Sequence, residues 1–63
     1  MKVGDLVVII ARDEPSYLRP PAGSVGIIMD IKYSNWLGIY YYVMISGYGW
    51  RFYKRDMEVI NAS

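Results

Sequence analysis

The chain of 63 residues contains no cysteine and no histidine. Without cysteine it can form neither a disulfide framework nor a thiolate metal site. Without histidine it also lacks the commonest metal ligand of proteins. A chain this small must then be stabilised by its hydrophobic core, and an apolar content of 54% is sufficient to form one. We therefore predict a single domain, spanning residues 1–63, that carries no cofactor and no metal.

The sequence also lacks an excess of charge of either sign, because seven lysines and arginines oppose six aspartates and glutamates. A net charge of +1 predicts no strong attraction to nucleic acid or to an anionic membrane. The aliphatic run Leu6–Ala11 is far shorter than the roughly 20 residues that cross a bilayer. The first residues do not have the layout of a signal peptide. We therefore expect no membrane partner and a cytoplasmic location, which for a viral protein means the host cytoplasm or the virion.

Pairs of nucleophile and base are also missing from the sequence. Such a pair requires a histidine, cysteine or lysine beside the nucleophile, and only the three lysines are available. The neighbouring carboxylates Asp13 and Glu14 lie in a predicted loop, where adjacent side chains point apart. Asp5 follows Gly4 and is better explained by a turn in which its side chain accepts backbone N–H groups. We therefore predict that the protein is not an enzyme.

The apolar residues that are present occur in short β-branched or aromatic runs, separated by glycine, proline, serine and asparagine. This pattern is typical of strands and turns. It predicts five strands, at residues 6–11, 25–32, 39–45, 50–53 and 57–60. A long first loop, residues 12–24, contains all three prolines, and shorter loops are expected at residues 33–38 and 46–49. Residues 54–56 are predicted to form a single 3₁₀ turn before the last strand.

Three segments suggest a more specific fold: Val3-Gly4-Asp5-Leu6-Val7, Gly23-x-x-Gly26-x-Ile28 and Asp56-Met57-Glu58-Val59-Ile60. Together they resemble the small SH3-like barrel proteins, which include KOW modules, a small photosystem I subunit and short proteins of tailed bacteriophages. The resemblance spans nearly the whole chain and implies an all-β, five-stranded SH3-like barrel. It says little about function, because such barrels have unrelated activities. It does raise the expectation of a small phage accessory or virion-associated protein.

The third predicted strand is apolar on both faces. Side chains alternate along a strand, so one face carries Ile39, Tyr41, Val43 and Ile45, and the other carries Tyr40, Tyr42 and Met44. Only one face of a small barrel points into its core. We assign the second set to a protein–protein interface, because tyrosine and methionine are enriched in interface cores. The alternative is that the long first loop covers this face.

Aromatic residues in the loops provide a further candidate site. We expect Trp50 to pack in the core, whereas Tyr17, Trp36 and Tyr53 are predicted to line a groove for the partner. Together these features favour a non-enzymatic interaction or assembly module that binds another protein or a second copy of itself. A related alternative is a structural subunit whose edge strand pairs with another chain.

Nucleic-acid binding is the main alternative function. The segment from Gly47 to Arg55 alternates small and aromatic residues, with basic residues between them. This rhythm is similar to the base-stacking strand of RNA-recognition and cold-shock domains. The candidate contact residues are Tyr48, Arg51, Lys54 and Arg55. However, the chain lacks the two helices of an RNA-recognition domain and the early lysine and aromatic pair of the cold-shock pattern.

Overall fold

The computed structural model describes residues 1–10 and 20–60 and forms a five-stranded antiparallel sheet. The elements in chain order are β1 (Leu6–Ile9), β2 (Val25–Ser34), β3 (Gly38–Ile45), β4 (Tyr48–Phe52), a 3₁₀ turn (Lys54–Asp56) and β5 (Met57–Val59). The prediction of an all-β fold with five strands and a 3₁₀ turn before the last one is confirmed. The predictions for Ala11, Asp13, Glu14 and Tyr17, and most of the first loop, lie outside the described residues.

The sheet is open. Its strand order is β4-β3-β2-β1-β5, so β4 and β5 form the two edges and are not paired with each other within the described residues. The closed barrel that the resemblance implied is therefore not confirmed. No helix among the described residues is long and apolar enough to cross a membrane.

One face of the sheet carries the core. The buried apolar side chains are Val7, Ile9, Ile28, Tyr41, Val43, Ile45, Phe52 and Met57. The register explains this set, because directly paired residues of neighbouring strands share a face. Tyr41 lies opposite Phe52, and Ile9 lies opposite Met57. Trp50 is half-buried and packs against this cluster from β4, in partial agreement with its predicted place in the core.

Two predicted loops are shorter than expected. The connection between β2 and β3 contains only residues 35–37. The Ser34 hydroxyl accepts the N–H groups of Trp36 and Leu37, at 3.2 and 3.3 Å, and closes the turn. The connection between β3 and β4 consists of Ser46 and Gly47, with φ angles of 51° and 85°. Positive φ at both central residues is typical of a type I′ hairpin turn, whose twist matches that of the strands.

A bulge in β2 determines which of its residues face the core. The pairing of β2 with β3 shifts between Ile28 and Asp30, which leaves Met29 as the extra residue. Ile28 lies opposite Val43, and Ile31 lies opposite Tyr41, so both isoleucines share the core face although three positions separate them. The bulge also bends the strand. The far half of β2 and the start of β3 continue past the core as a hairpin.

Candidate interaction surfaces

The end of the β2–β3 hairpin carries exposed apolar side chains. Tyr33 and Ile39 lie opposite each other, two positions beyond the Ile31–Tyr41 pair and on the same face. Trp36 and Leu37 form the turn. The exposed fractions are 38% for Ile31, 73% for Tyr33, 95% for Trp36, 46% for Leu37 and 56% for Ile39. We call these five residues the hairpin patch. Through Ile31, Tyr33 and Ile39, the core face of the sheet thus extends into a region where its side chains remain exposed.

The hairpin patch contains no charge, and no charged residue occurs between Lys32 and Arg51. Lys32 itself lies on the opposite face of the sheet and forms an ion pair with Asp30, with Nζ and Oδ2 3.1 Å apart. The hydrogen bond from Lys32, together with the N–H of Ile31 at 2.8 Å, lowers the pKa of the Asp30 carboxyl below its usual 3.8. Asp30 in turn raises the pKa of Lys32. This ion pair fixes charge beside the hairpin but not on the patch.

The predicted interface residues of β3 point to the outer face of the sheet, opposite the core. Tyr42 is 41% exposed, whereas Tyr40 and Met44 are half-buried. The Tyr42 ring lies over Gly49, since a Cβ atom added there would be 2.5 Å from Tyr42 Cε2. The guanidinium carbon of Arg51 lies 6.0 Å from the centre of the Tyr40 ring. Neighbouring groups thus cover part of this face, and it offers less free apolar surface than the hairpin patch.

A shallow depression of about 330 Å³ brings three of the predicted residues together, Tyr40, Arg51 and Tyr53. Leu37, Tyr40, Arg51, Phe52 and Tyr53 line it. Tyr40 and Tyr53 therefore share one concave surface, although the sequence placed them in separate candidate sites. Trp36 is not among the lining residues, and Tyr17 lies outside the described part of the chain, so the predicted groove of Tyr17, Trp36 and Tyr53 is not assembled in the described residues.

The residues proposed for nucleic-acid binding are divided between two ends of the sheet. Tyr48 begins β4, so about 13 Å of strand separates it from Phe52, at roughly 3.3 Å per residue. The basic residues gather at the other end, where the Arg55 guanidinium carbon lies 5.0 Å from the centre of the Tyr53 ring. Lys54 is exposed in the same turn. The rings beside Arg51 and Arg55 are those of Tyr40 and Tyr53, respectively, rather than that of Tyr48.

Four residues of the hairpin patch were missed from sequence: Ile31, Tyr33, Leu37 and Ile39. Tyr33 falls in a predicted loop. Ile39 falls on the predicted core face, but the structure shows that the core ends at Tyr41 and leaves Ile39 exposed. The long uncharged stretch between Lys32 and Arg51 is a sequence signal that could have identified this surface. Only Trp36 appears in both the predicted interface and the patch.

The two buried carboxylates, those of Asp5 and Asp56, accept hydrogen bonds from backbone N–H groups. Asp5 Oδ2 accepts the N–H of Lys2 at 3.1 Å, as the predicted turn requires. Asp56 Oδ2 accepts the N–H of Tyr53, also at 3.1 Å, and the N–H of Asp56 donates to the Tyr53 carbonyl at 2.9 Å. In the described part of the chain, no group of three acidic side chains is placed to hold a metal ion. Both carboxylates therefore have local structural roles.

Comparisons of the chain with protein-family models, with curated proteins and with solved structures found no match. Function therefore has to be inferred from the geometry of these surfaces.

Proposed function

We propose that this protein is a non-enzymatic interaction module that binds protein through the hairpin patch. The observation that carries the proposal is the exposure of Tyr33, Trp36 and Ile39 on the end of one hairpin. Large apolar side chains exposed singly are normal on protein surfaces, but a contiguous apolar group marks an interaction site. Tryptophan and tyrosine are also the residues most enriched among binding hot spots.

We further propose an SH3-like barrel as the scaffold. The strand order β4-β3-β2-β1-β5, the bulged β2 and the 3₁₀ turn between β4 and β5 support this assignment. A bulge in a long strand lets it bend and serve two parts of a curved sheet. The origin of the protein in a bacteriophage stays a prediction from the resemblance alone.

The absence of charge on the hairpin patch favours a protein as the partner. Phosphate groups of nucleic acid require lysine or arginine contacts, and the patch itself provides none. The outer-face residues Tyr40, Tyr42 and Met44 stay part of the proposed protein interface as a second, less exposed surface. Tyr53 lies near the patch, because it shares the depression with Leu37.

The proposal can be tested by selecting binding peptides from a random display library against the purified protein. Selected peptides should bind the wild-type chain and should lose most of their affinity for Tyr33→Glu, which places a charge in the patch. Tyr48→Glu is the matched control, because Tyr48 is 70% exposed, close to the 73% of Tyr33. Tyr48 begins β4 and pairs with Ile45, at the end of β3 that is distant from the patch. Peptides that bind both variants equally well would contradict the proposed site.

Nucleic-acid binding is a second candidate, favoured by Arg51 and Arg55 beside the Tyr40 and Tyr53 rings. Bases can stack on exposed aromatic rings while arginines contact the phosphates. Titration with mixed single-stranded DNA and RNA should then show affinity that falls tenfold or more between about 50 and 200 mM salt. Arg55→Gln should reduce both the affinity and its salt dependence. Absence of binding at the lower salt concentration would exclude this candidate.

A further inference from the structure

Three residues of the hairpin patch, Ile31, Tyr33 and Ile39, lie on the face of the sheet that carries the core. Ile31 pairs with the buried Tyr41, and Tyr33 and Ile39 extend the same face of the same two strands. Two such faces can pack against each other about 10 Å apart, as the sheets of a β-sandwich do. One hairpin therefore provides one of the two apolar faces that such packing needs.

The exposed apolar area of the patch can be compared with what a stable dimer needs. An aromatic side chain offers about 150–250 Å², so the exposed parts of Tyr33 and Trp36 provide about 350 Å². Ile31, Leu37 and Ile39 add roughly 150 Å², if a fully exposed aliphatic side chain offers about 100 Å². A standard interface buries about 800 Å² per partner, of which about 65% is apolar in homodimers. That requirement is about 500 Å², which the patch reaches when all five side chains are fully buried in the contact.

We propose that a second copy of this chain occupies the hairpin patch, so that two hairpins pack face to face around a two-fold axis; this inference rests on the proposed function. A two-fold contact places the same surface against itself. Such a contact would be unfavourable for a charged surface, but the segment between Lys32 and Arg51 has no charge. The basic residues Arg51, Lys54 and Arg55 lie in β4 and the following turn. They are not members of the patch, although Arg51 borders it, because it lines the same depression as Leu37.

Sedimentation equilibrium of the purified full chain tests the proposal. Over about 1 μM to 1 mM, which brackets the dissociation constants of weak and moderate dimers, the wild-type mass should rise from 7.3 kDa to twice that value. Tyr33→Glu should remain monomeric over this range, a loss of at least tenfold in dimer affinity. Tyr48→Glu should dimerise like the wild type, because it carries the same charge change outside the patch. Circular dichroism of each variant checks that it is folded.

A second variant covers the case in which Tyr33→Glu fails to fold. Trp36→Ser removes a side chain that is 95% exposed and leaves in place the backbone N–H that donates to Ser34, so it should fold and yet weaken the dimer at least tenfold. A wild-type chain that stays monomeric at the highest concentration would overturn the proposal. So would a dimer that survives both Tyr33→Glu and Trp36→Ser, or association that continues beyond two copies.

The peptide selection separates failure of the dimer from failure of the proposed function. If the chain is monomeric but selected peptides still require Tyr33, the hairpin patch binds a different protein and only the dimer is refuted. If the chain is monomeric and no selected peptide depends on Tyr33, the function proposed for the patch is refuted as well. A salt-dependent response to single-stranded nucleic acid would instead direct attention to Arg51 and Arg55.

Discussion

Replacing Gly26 by alanine would place a methyl group in a part of the core that has no room for it. An ideal Cβ atom at this position would lie 2.6 Å from both Ile45 Cγ1 and Val43 Cγ1, and 2.7 Å from the Met44 carbonyl oxygen. Ordinary contacts between carbon atoms are about 3.5–4.0 Å. The carbonyl belongs to the backbone of β3, which is paired on both sides, so it cannot move without disturbing the sheet.

The expected loss of stability is large for a domain of this size. Overpacking a core typically costs about 1–3 kcal/mol, and the backbone contact points to the upper end, about 3 kcal/mol. A stability of roughly 0.05–0.15 kcal/mol per residue gives about 3–9 kcal/mol for the whole domain. Gly26→Ala should therefore remove between a third and nearly all of the free energy of unfolding.

Gly49→Ala is the matched comparison, because its Cβ atom would meet atoms equally close. Those atoms belong to the ring of Tyr42, at 2.5 to 2.8 Å, and this side chain is 41% exposed. The ring can swing toward solvent, and alanine restricts the unfolded chain more than glycine does, by about 0.4–1 kcal/mol. The net cost should be about 0–1 kcal/mol, since these two effects oppose each other.

Urea denaturation followed by circular dichroism measures both values. With a slope of about 1 kcal/mol per molar urea, as for a small domain, Gly26→Ala should lower the midpoint by about 3 M, if enough stability remains to define a transition. Gly49→Ala should lower it by about 1 M or less. Equal losses of stability for the two variants would refute the reasoning. They would mean that the cost of a short contact does not depend on whether the neighbouring atoms can move away.

Three further predictions concern local contacts. Asp56→Ala should lower the free energy of unfolding by about 1 kcal/mol, because the Tyr53 N–H loses its acceptor, whereas Asp56→Asn should retain most of it; urea denaturation measures both. Lys32→Met should raise the Asp30 pKa toward 3.8 in a carbon NMR titration. Pairing with Lys32 lowers the Asp30 pKa in the folded state, so the ion pair stabilises the fold above pH 3.8 and stops doing so as the pH falls through the lowered pKa. Both groups are exposed, so the effect on the free energy of unfolding should be small. Tyr42→Lys should unfold cooperatively like the wild type and lose any association through the outer face; an unfolded variant would mean that Tyr42 is a core residue.

Local sequence patterns predicted the elements but not all of their ends. The 3₁₀ turn at residues 54–56 was predicted with the observed bounds, because the aromatic run before it and the apolar run after it leave little choice. The β2–β3 connection was predicted to be twice as long as it is. The Ser34 hydroxyl shortens it by accepting two N–H groups. The sequence alone does not show which backbone amides a serine hydroxyl will bind.

The candidate surfaces depended on register, which the sequence did not reveal. Alternation along β3 showed that two sets of side chains face opposite ways. It did not show that Tyr41 is the last buried residue on the core face or that Ile39 lies beyond it, exposed. The bulge at Met29 also changes the parity of β2 and brings Ile31 onto the core face. A one-residue change of this kind moves every later side chain to the other face.

The sequence by itself determined that the chain is a β-sheet protein without cysteine or histidine chemistry, because composition and short apolar runs depend only on local order. It also determined that charge is balanced overall and absent between Lys32 and Arg51. Only the tertiary structure decided where the core ends and which apolar residues lie beyond it. That boundary is set by the pairing of strands distant in sequence, and such pairing turned an ordinary apolar stretch into the exposed hairpin patch.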